Sequence, residues 1–225
     1  MKTNILNRIV EPEALQQSGD FLGLTLTYPK ELTPFSYMLN NGTVVEVWDT
    51  GVLCLTPANP AGIDLVLSSG VHGNETAPIE LCAAICQDLL LEKIQSRHRL
   101  LFLFGNPPAM NSAKRELVDN LNRLFSGHHS KGEGEPNWER QRAAALEQYV
   151  LRFFNEGGAN GAQHYCHADD AIHMERLETE HFLNAKPTDD FSLNENNSES
   201  YSYCKIFEIV PPLMFQVAFI YAHGV

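Results

Sequence analysis

An α/β domain, with a mixed sheet flanked by helices, is the fold this chain predicts, and three observations carry it. Two short apolar runs, residues 63–71 and 99–105, are rich in Val, Leu and Phe, as strands buried on both faces of a parallel sheet are. Between them, Ile79 to Ile94 repeats with helical period, with Ile79, Leu81, Cys82, Ile85, Cys86, Leu89 and Leu90 on one broad face. Ahead of both runs, a β-hairpin pattern supplies antiparallel strands. Strand, helix and strand in this order predict a right-handed crossover unit.

Along the chain, residues 1–40 hold weak helix and turn signals, including Pro29 and Pro34. The hairpin reads Thr43-Val44-Val45-Glu46-Val47-Trp48, then Asp49-Thr50-Gly51, then Val52-Leu53-Cys54-Leu55, with β-branched residues either side of a glycine turn. Gly127 to Pro136 is a polar loop. A second helix is predicted from Trp138 to Phe154, where Leu146, Tyr149, Val150, Phe153 and Phe154 are spaced by three and four. Residues 155–161, with three glycines, break the pattern. Residues 174–203 are polar and close to low complexity around Asn194–Ser200. Ile206 to Tyr221 is apolar again, interrupted by Pro211-Pro212, and can supply one or two strands.

Composition narrows the function. A chain of 225 residues that is 44% hydrophobic can bury a sizeable core. Sixteen basic against 28 acidic residues give a net charge of −12, which argues against a general binder of nucleic acid or anionic membranes. Five cysteines without a Cys-x-x-Cys pair read as reduced thiols. The N-terminus lacks the apolar run of a signal peptide, and no apolar stretch approaches about 18 residues. A cytoplasmic protein is expected.

The segment Ser69-Gly70-Val71-His72-Gly73-Asn74-Glu75-Thr76-Ala77-Pro78 is where chemistry is expected. It leaves the carboxyl end of a buried strand, the place where open α/β sheets bind ligands. A His and a Glu three residues apart on such a loop can close on one metal ion, and imidazole with carboxylate is a common zinc pairing. Gly70 and Gly73 allow a tight turn and a close backbone approach. Thr76 is placed to cap the following helix, with Pro78 in its first turn and Glu80 facing its positive end. The competing reading is a polar loop that merely caps a helix.

That segment does not stand alone. Arg99-Leu100-Leu101-Phe102-Leu103-Phe104-Gly105 is followed by Asn106-Pro107-Pro108-Ala109, Lys114-Arg115 and Asp119-Asn120-Leu121-Asn122-Arg123-Leu124-Phe125. Together with Gly70 to Pro78, these motifs resemble the succinylglutamate desuccinylase and aspartoacylase family of the zinc carboxypeptidase-like superfamily. The resemblance covers residues from about 40 to 155. The Gly-Asn-Pro-Pro-Ala wording is more similar to the desuccinylases.

The resemblance implies a zinc carboxypeptidase-like mixed sheet flanked by helices, incomplete at the C-terminal end. Residues 1–173 would be the N-terminal part of the catalytic domain, and 174–225 a diverged or truncated segment. It implies a zinc ion with His72 and Glu75 as its first two ligands. His167 aligns best as the third, with His164 and His173 as competitors. Arg115 would stabilise the oxyanion formed when water attacks the amide. Asn122 and Arg123 would hold a substrate carboxylate, as a guanidinium grips one through two parallel hydrogen bonds. Taken alone, both arginines read as solvated surface charges. The family's general base is a Glu in a later apolar strand. Glu208 has a comparable setting without the following glycine, and its plainer reading is an edge-strand surface residue. The activity implied is zinc-dependent hydrolysis of N-succinyl-L-glutamate, a small acidic N-acyl amino acid, to succinate and glutamate in arginine catabolism. The alternatives are an aspartoacylase-like deacylase of another N-acyl amino acid, or an inactive truncated remnant.

Overall fold

The structure is a computed structural model that describes residues 12–60, 63–131 and 135–156, and the backbone course of two further strands at 162–167 and 216–217. In chain order the elements are α1 (Pro12–Ser18), α2 (Phe21–Thr27), β1 (Phe35–Met38), β2 (Val44–Asp49), β3 (Val52–Thr56), β4 (Ile63–Ser69), α3 (Thr76–Leu90), β5 (Arg99–Phe104), α4 (Pro107–Asn111), α5 (Trp138–Glu156), β6 (Ala162–His167) and β7 (Gln216–Val217). The strands form one sheet in the order β1-β2-β3-β5-β4-β6-β7. β1, β2, β3 and β5 pair antiparallel, whereas β5, β4, β6 and β7 pair parallel, so the sheet is mixed as expected.

β5 is the spine. All six of its residues are buried, because it lies between β3 and β4 and is covered on both faces. Its side chains alternate between two cores, as the pleat requires. Leu100, Phe102 and Phe104 join Leu53, Leu65, Leu67, Ile79, Ile85 and Leu89 beneath α1 to α3. Leu101 and Leu103 join Val52, Val66, Leu146, Val150 and Phe153 beneath α5. Each fully buried side chain of this size contributes roughly 1.5–3 kcal/mol of transfer free energy.

Three elements escaped the pattern, β6 among them. β1 pairs with β2 as an edge strand whose residues alternate between half-buried and exposed, and the nearby prolines mask it. α4 begins with two prolines, which suit its first turn because the N–H groups there have no helical partner. α3 starts earlier than Ile79 and stops at Leu90 rather than Ile94. It stops because Glu92 takes a left-handed φ of 55°. The Glu92 carboxylate then accepts from Asn40 Nδ2 and Asn41 N, both at 2.8 Å, and ties the helix end to the β1–β2 turn. Residues 157–161, most of 168–225, His173 and Glu208 lie outside the described residues. So does the expected second segment, 174–225, apart from β7.

Arg142 of α5 joins that helix to the sheet. It is buried and donates from Nε to the Gly105 carbonyl at 2.9 Å, and from Nη2 to the carbonyls of Thr50 at 2.7 Å and Phe104 at 3.0 Å. Nη1 meets Asp49 Oδ2 at 3.2 Å. Burial pushes its pKa down to about 10, and the Asp49 carboxylate opposes that shift. Removing the guanidinium strips donors from three carbonyls and one carboxylate. Arg142→Met is therefore expected to cost roughly 3–5 kcal/mol, the range for breaking a buried ion pair. Urea unfolding checks it, and a loss below about 1 kcal/mol would show that the clamp is not needed.

Candidate active site

β4 ends at Ser69, and the chain turns through Gly70 at φ 66°. A Cβ on Gly73 would stand 2.2 Å from the backbone carbon of Ala109, so only glycine lets the loop lie against α4. Gly73 N donates to the Arg115 carbonyl at 3.2 Å, which joins the β4 loop to the loop that follows α4. His72 is fully buried in this junction.

Glu75 occupies the cap position of α3 and makes no capping hydrogen bond; Thr76 is the first helical residue. The expectation that Thr76 caps the helix is therefore corrected. The reason is chemical: the Glu75 carboxylate turns away from the helix to His72 and Arg115. Pro78 lies in the first turn and is buried, whereas Glu80 is exposed beyond it.

His72 Nδ1 lies 2.9 Å from Glu75 Oε1, and Arg115 Nη1 donates to the same oxygen at 2.8 Å. His72 Nε2 lies 3.1 Å from Asn120 Oδ1. Asn120 Oδ1 also accepts from Asn122 N at 3.1 Å, which fixes it as the carbonyl oxygen of the amide. Nε2 then donates to Asn120, and Nδ1 faces a carboxylate oxygen: a protonated ring donates to that oxygen, and a neutral ring offers a lone pair that can share a cation with it. The donor set therefore fits zinc, with imidazole nitrogen and carboxylate converging and the second ring nitrogen held by an outer partner. Among the described residues no third His, Cys, Asp or Glu completes such a group.

The strand register bears on the third ligand. β6 runs parallel to β4, and His167 pairs with Ser68, at the end from which the His72 loop emerges. His164 pairs with Leu65, three positions deeper, about 10 Å along the strand. His173 and Glu208 are not among the described residues.

The residues expected to handle anions, Arg115, Asn122 and Arg123, sit on the stretch from 112 to 123. Arg115 is half exposed beside Glu75. Asn122 and Arg123 belong to a 3₁₀ turn, Leu121–Arg123, that the fully buried Leu121 anchors. Arg123 is exposed and has no ion-pair partner among the described residues. Asp119, next to Asn120, accepts from Asn137 Nδ2 at 2.9 Å and Arg140 Nε at 2.7 Å. The Asn137 hydrogen bond and the Arg140 charge hold its carboxyl below the usual carboxylate range, although partial burial opposes them.

Sequence reasoning missed two residues here. Asn120 lay inside the recognised motif, and its contact with His72 spans 48 positions that no local pattern records. Glu139 gave no signal, since an acid in the first turn of a charged helix is ordinary. Removal of an outer partner of a metal-binding histidine typically costs 10–100-fold in metal affinity. Asn120→Ala is expected to weaken zinc binding by about that factor, read by competition with a chromophoric chelator. Unchanged affinity would mean that another group orients the ring.

Residues 61–169 match the model of the succinylglutamate desuccinylase/aspartoacylase catalytic domain. The chain is 53% identical over 152 residues to a curated succinylglutamate desuccinylase of Shewanella frigidimarina, covering 67% of this chain and 44% of that protein. It is 54% identical over 156 residues to the one from Shewanella sp. strain MR-7, covering 68% of this chain and 45% of that protein. Among solved structures it is similar to the succinylglutamate desuccinylase of Chromobacterium violaceum, with a TM-score of 0.60 and 31% identity over 67% of this chain and 45% of that one. The Vibrio parahaemolyticus structure gives 0.57 and 31%, over 69% and 52%. The chain thus spans about half the length of the relatives it matches.

Proposed function

Since the chain belongs, through residues 61–169, to the succinylglutamate desuccinylase/aspartoacylase family, we propose that it serves zinc-dependent hydrolysis of the amide bond of N-succinyl-L-glutamate. The observation that carries this is the junction of His72, Glu75, Arg115 and Asn120 at the carboxyl end of β4. It lies within a stretch more than half identical to proteins of that name.

His72, Glu75 and His167 would hold the metal; the register of β6 favours His167 over His164. Zinc, when bound, supplies Lewis-acid polarisation of the amide carbonyl and a more acidic water nucleophile. The chain's own residues do the rest. Asn120 holds the His72 ring in one tautomer. Arg115 keeps one N–H on Glu75 and presents its other donors, half exposed, toward the amide oxygen on which charge develops. Asn122 and Arg123 bind a substrate carboxylate, and the exposed guanidinium suits a bidentate grip.

Among the described residues no helix is long and apolar enough to cross a membrane. A small acidic substrate must find its cations locally in a chain of net charge −12, and Arg115 and Arg123 stand within one loop. The test is turnover of N-succinyl-L-glutamate against N-acetyl-L-aspartate by the zinc-loaded protein. Preference for the succinyl substrate supports the proposal, and preference for the acetyl substrate gives the aspartoacylase-like alternative.

A further inference from the structure

We propose that Glu139 is a positioning residue that sets the 115–123 loop and thereby both the His72 ring and the anion-binding side chains. The proposal rests on the reading of that loop as part of the active site. Glu139 lies in the first turn of α5 and is 1% exposed. Its Oε1 accepts from Asn106 Nδ2 and Leu117 N, both at 2.8 Å. Its Oε2 accepts from Val118 N at 2.8 Å and Asp119 N at 2.7 Å. Three consecutive backbone N–H groups thus converge on one carboxylate, a concave anion-binding arrangement built within the chain itself.

The side chains of this stretch cannot do the same work. Leu117 is 41% and Val118 71% exposed, so neither packs the loop down. The loop is held through its backbone, and Glu139 is what holds its middle. On one side of that grip stands Arg115, against Glu75; on the other stands Asn120, against His72. Asn106 extends the device. Its Oδ1 caps α4 at Ala109 N, 3.3 Å away, while its Nδ2 meets Glu139. The same helix α4 abuts Gly73. One buried carboxylate therefore links the end of β5, the start of α5 and the loop facing the candidate metal.

Glu139→Gln keeps the shape but sets an NH₂ donor against backbone N–H donors. Glu139→Asp keeps two acceptor oxygens on a shorter arm. Three readouts on the whole chain test the idea: hydrogen exchange at 117–119, zinc affinity by chelator competition, and affinity for N-succinyl-L-glutamate by calorimetry. For Glu139→Gln the expected result is lost protection at Leu117, Val118 and Asp119, with retained protection at Leu100 to Leu103 in β5. Zinc and ligand affinities should each fall on the order of 10-fold, by analogy with outer-shell metal partners. Glu139→Asp should recover part of all three. Lost protection with unchanged affinities overturns the positioning role, as does protection that persists. Equal loss of protection in β5 also overturns it, because Glu139 would then support the fold as a whole. Arg123→Ala separates this proposal from the reading beneath it. If Arg123→Ala leaves ligand affinity intact, the anion-site reading fails; if only Glu139→Gln leaves it intact, the positioning role fails.

Discussion

His72→Ala is expected to leave a protein that folds but no longer retains zinc, and with it any hydrolysis of N-succinyl-L-glutamate. The ring is fully buried, yet it is not a core residue in the usual sense. Both nitrogens face polar partners, Glu75 on one side and Asn120 on the other. On the proposed reading, deleting it removes a ligand and the Nδ1 contact of the Glu75 carboxylate, which Arg115 still meets. Glu75→Ala should give the same loss, and it should also free the Arg115 guanidinium. Metal analysis of wild type and both variants checks this, with about one zinc per chain expected before mutation. Equal zinc content in all three would remove the site from this loop.

Arg115→Ala and Arg123→Ala should separate in their kinetics. On the proposed reading, charge would develop near Arg115 only as the amide is attacked, so its loss should fall on kcat. Removing one donor to a developing oxyanion typically costs about 10²–10³-fold. Arg123 is exposed on its 3₁₀ turn and would meet a carboxylate present in ground and transition states alike. Its loss should fall on KM, by roughly tenfold or more, the equivalent of one hydrogen bond between charged groups. Steady-state kinetics of the two variants decide the assignment, and equal effects on both parameters would undo it.

The parts of this molecule legible in its sequence are those set by local periodicity. β4 and β5 declared themselves as apolar runs, α3 and α5 as faces spaced by three and four, and the β2–β3 hairpin by its glycine turn, where Gly51 takes φ 63°. The candidate site was legible only in part. The motifs assigned His72, Glu75 and Arg115 to one site, and Arg115 reaches Glu75 across 40 positions, a contact the motifs did not specify. What stayed hidden depends on contacts between distant segments. Thr76 looked like a cap because capping is a local preference, but a functional partner claimed the cap residue's side chain. Asn120 and Glu139 act through bonds that span 48 and about 20 positions, and no window of sequence contains both ends. Edge strand β1 was missed because a short, half-exposed strand just after Pro34 carries little apolar signal.

On the proposed reading, His72 and Glu75 hold a zinc ion in a nitrogen and oxygen environment at the end of β4. X-ray absorption at the zinc edge tests it most directly. A first shell of nitrogen and oxygen at about 2.0–2.2 Å with imidazole scattering is expected in the wild type, and His72→Ala should retain no zinc signal. A sulfur shell at about 2.3 Å, unchanged by that substitution, would place the metal on cysteine and contradict it.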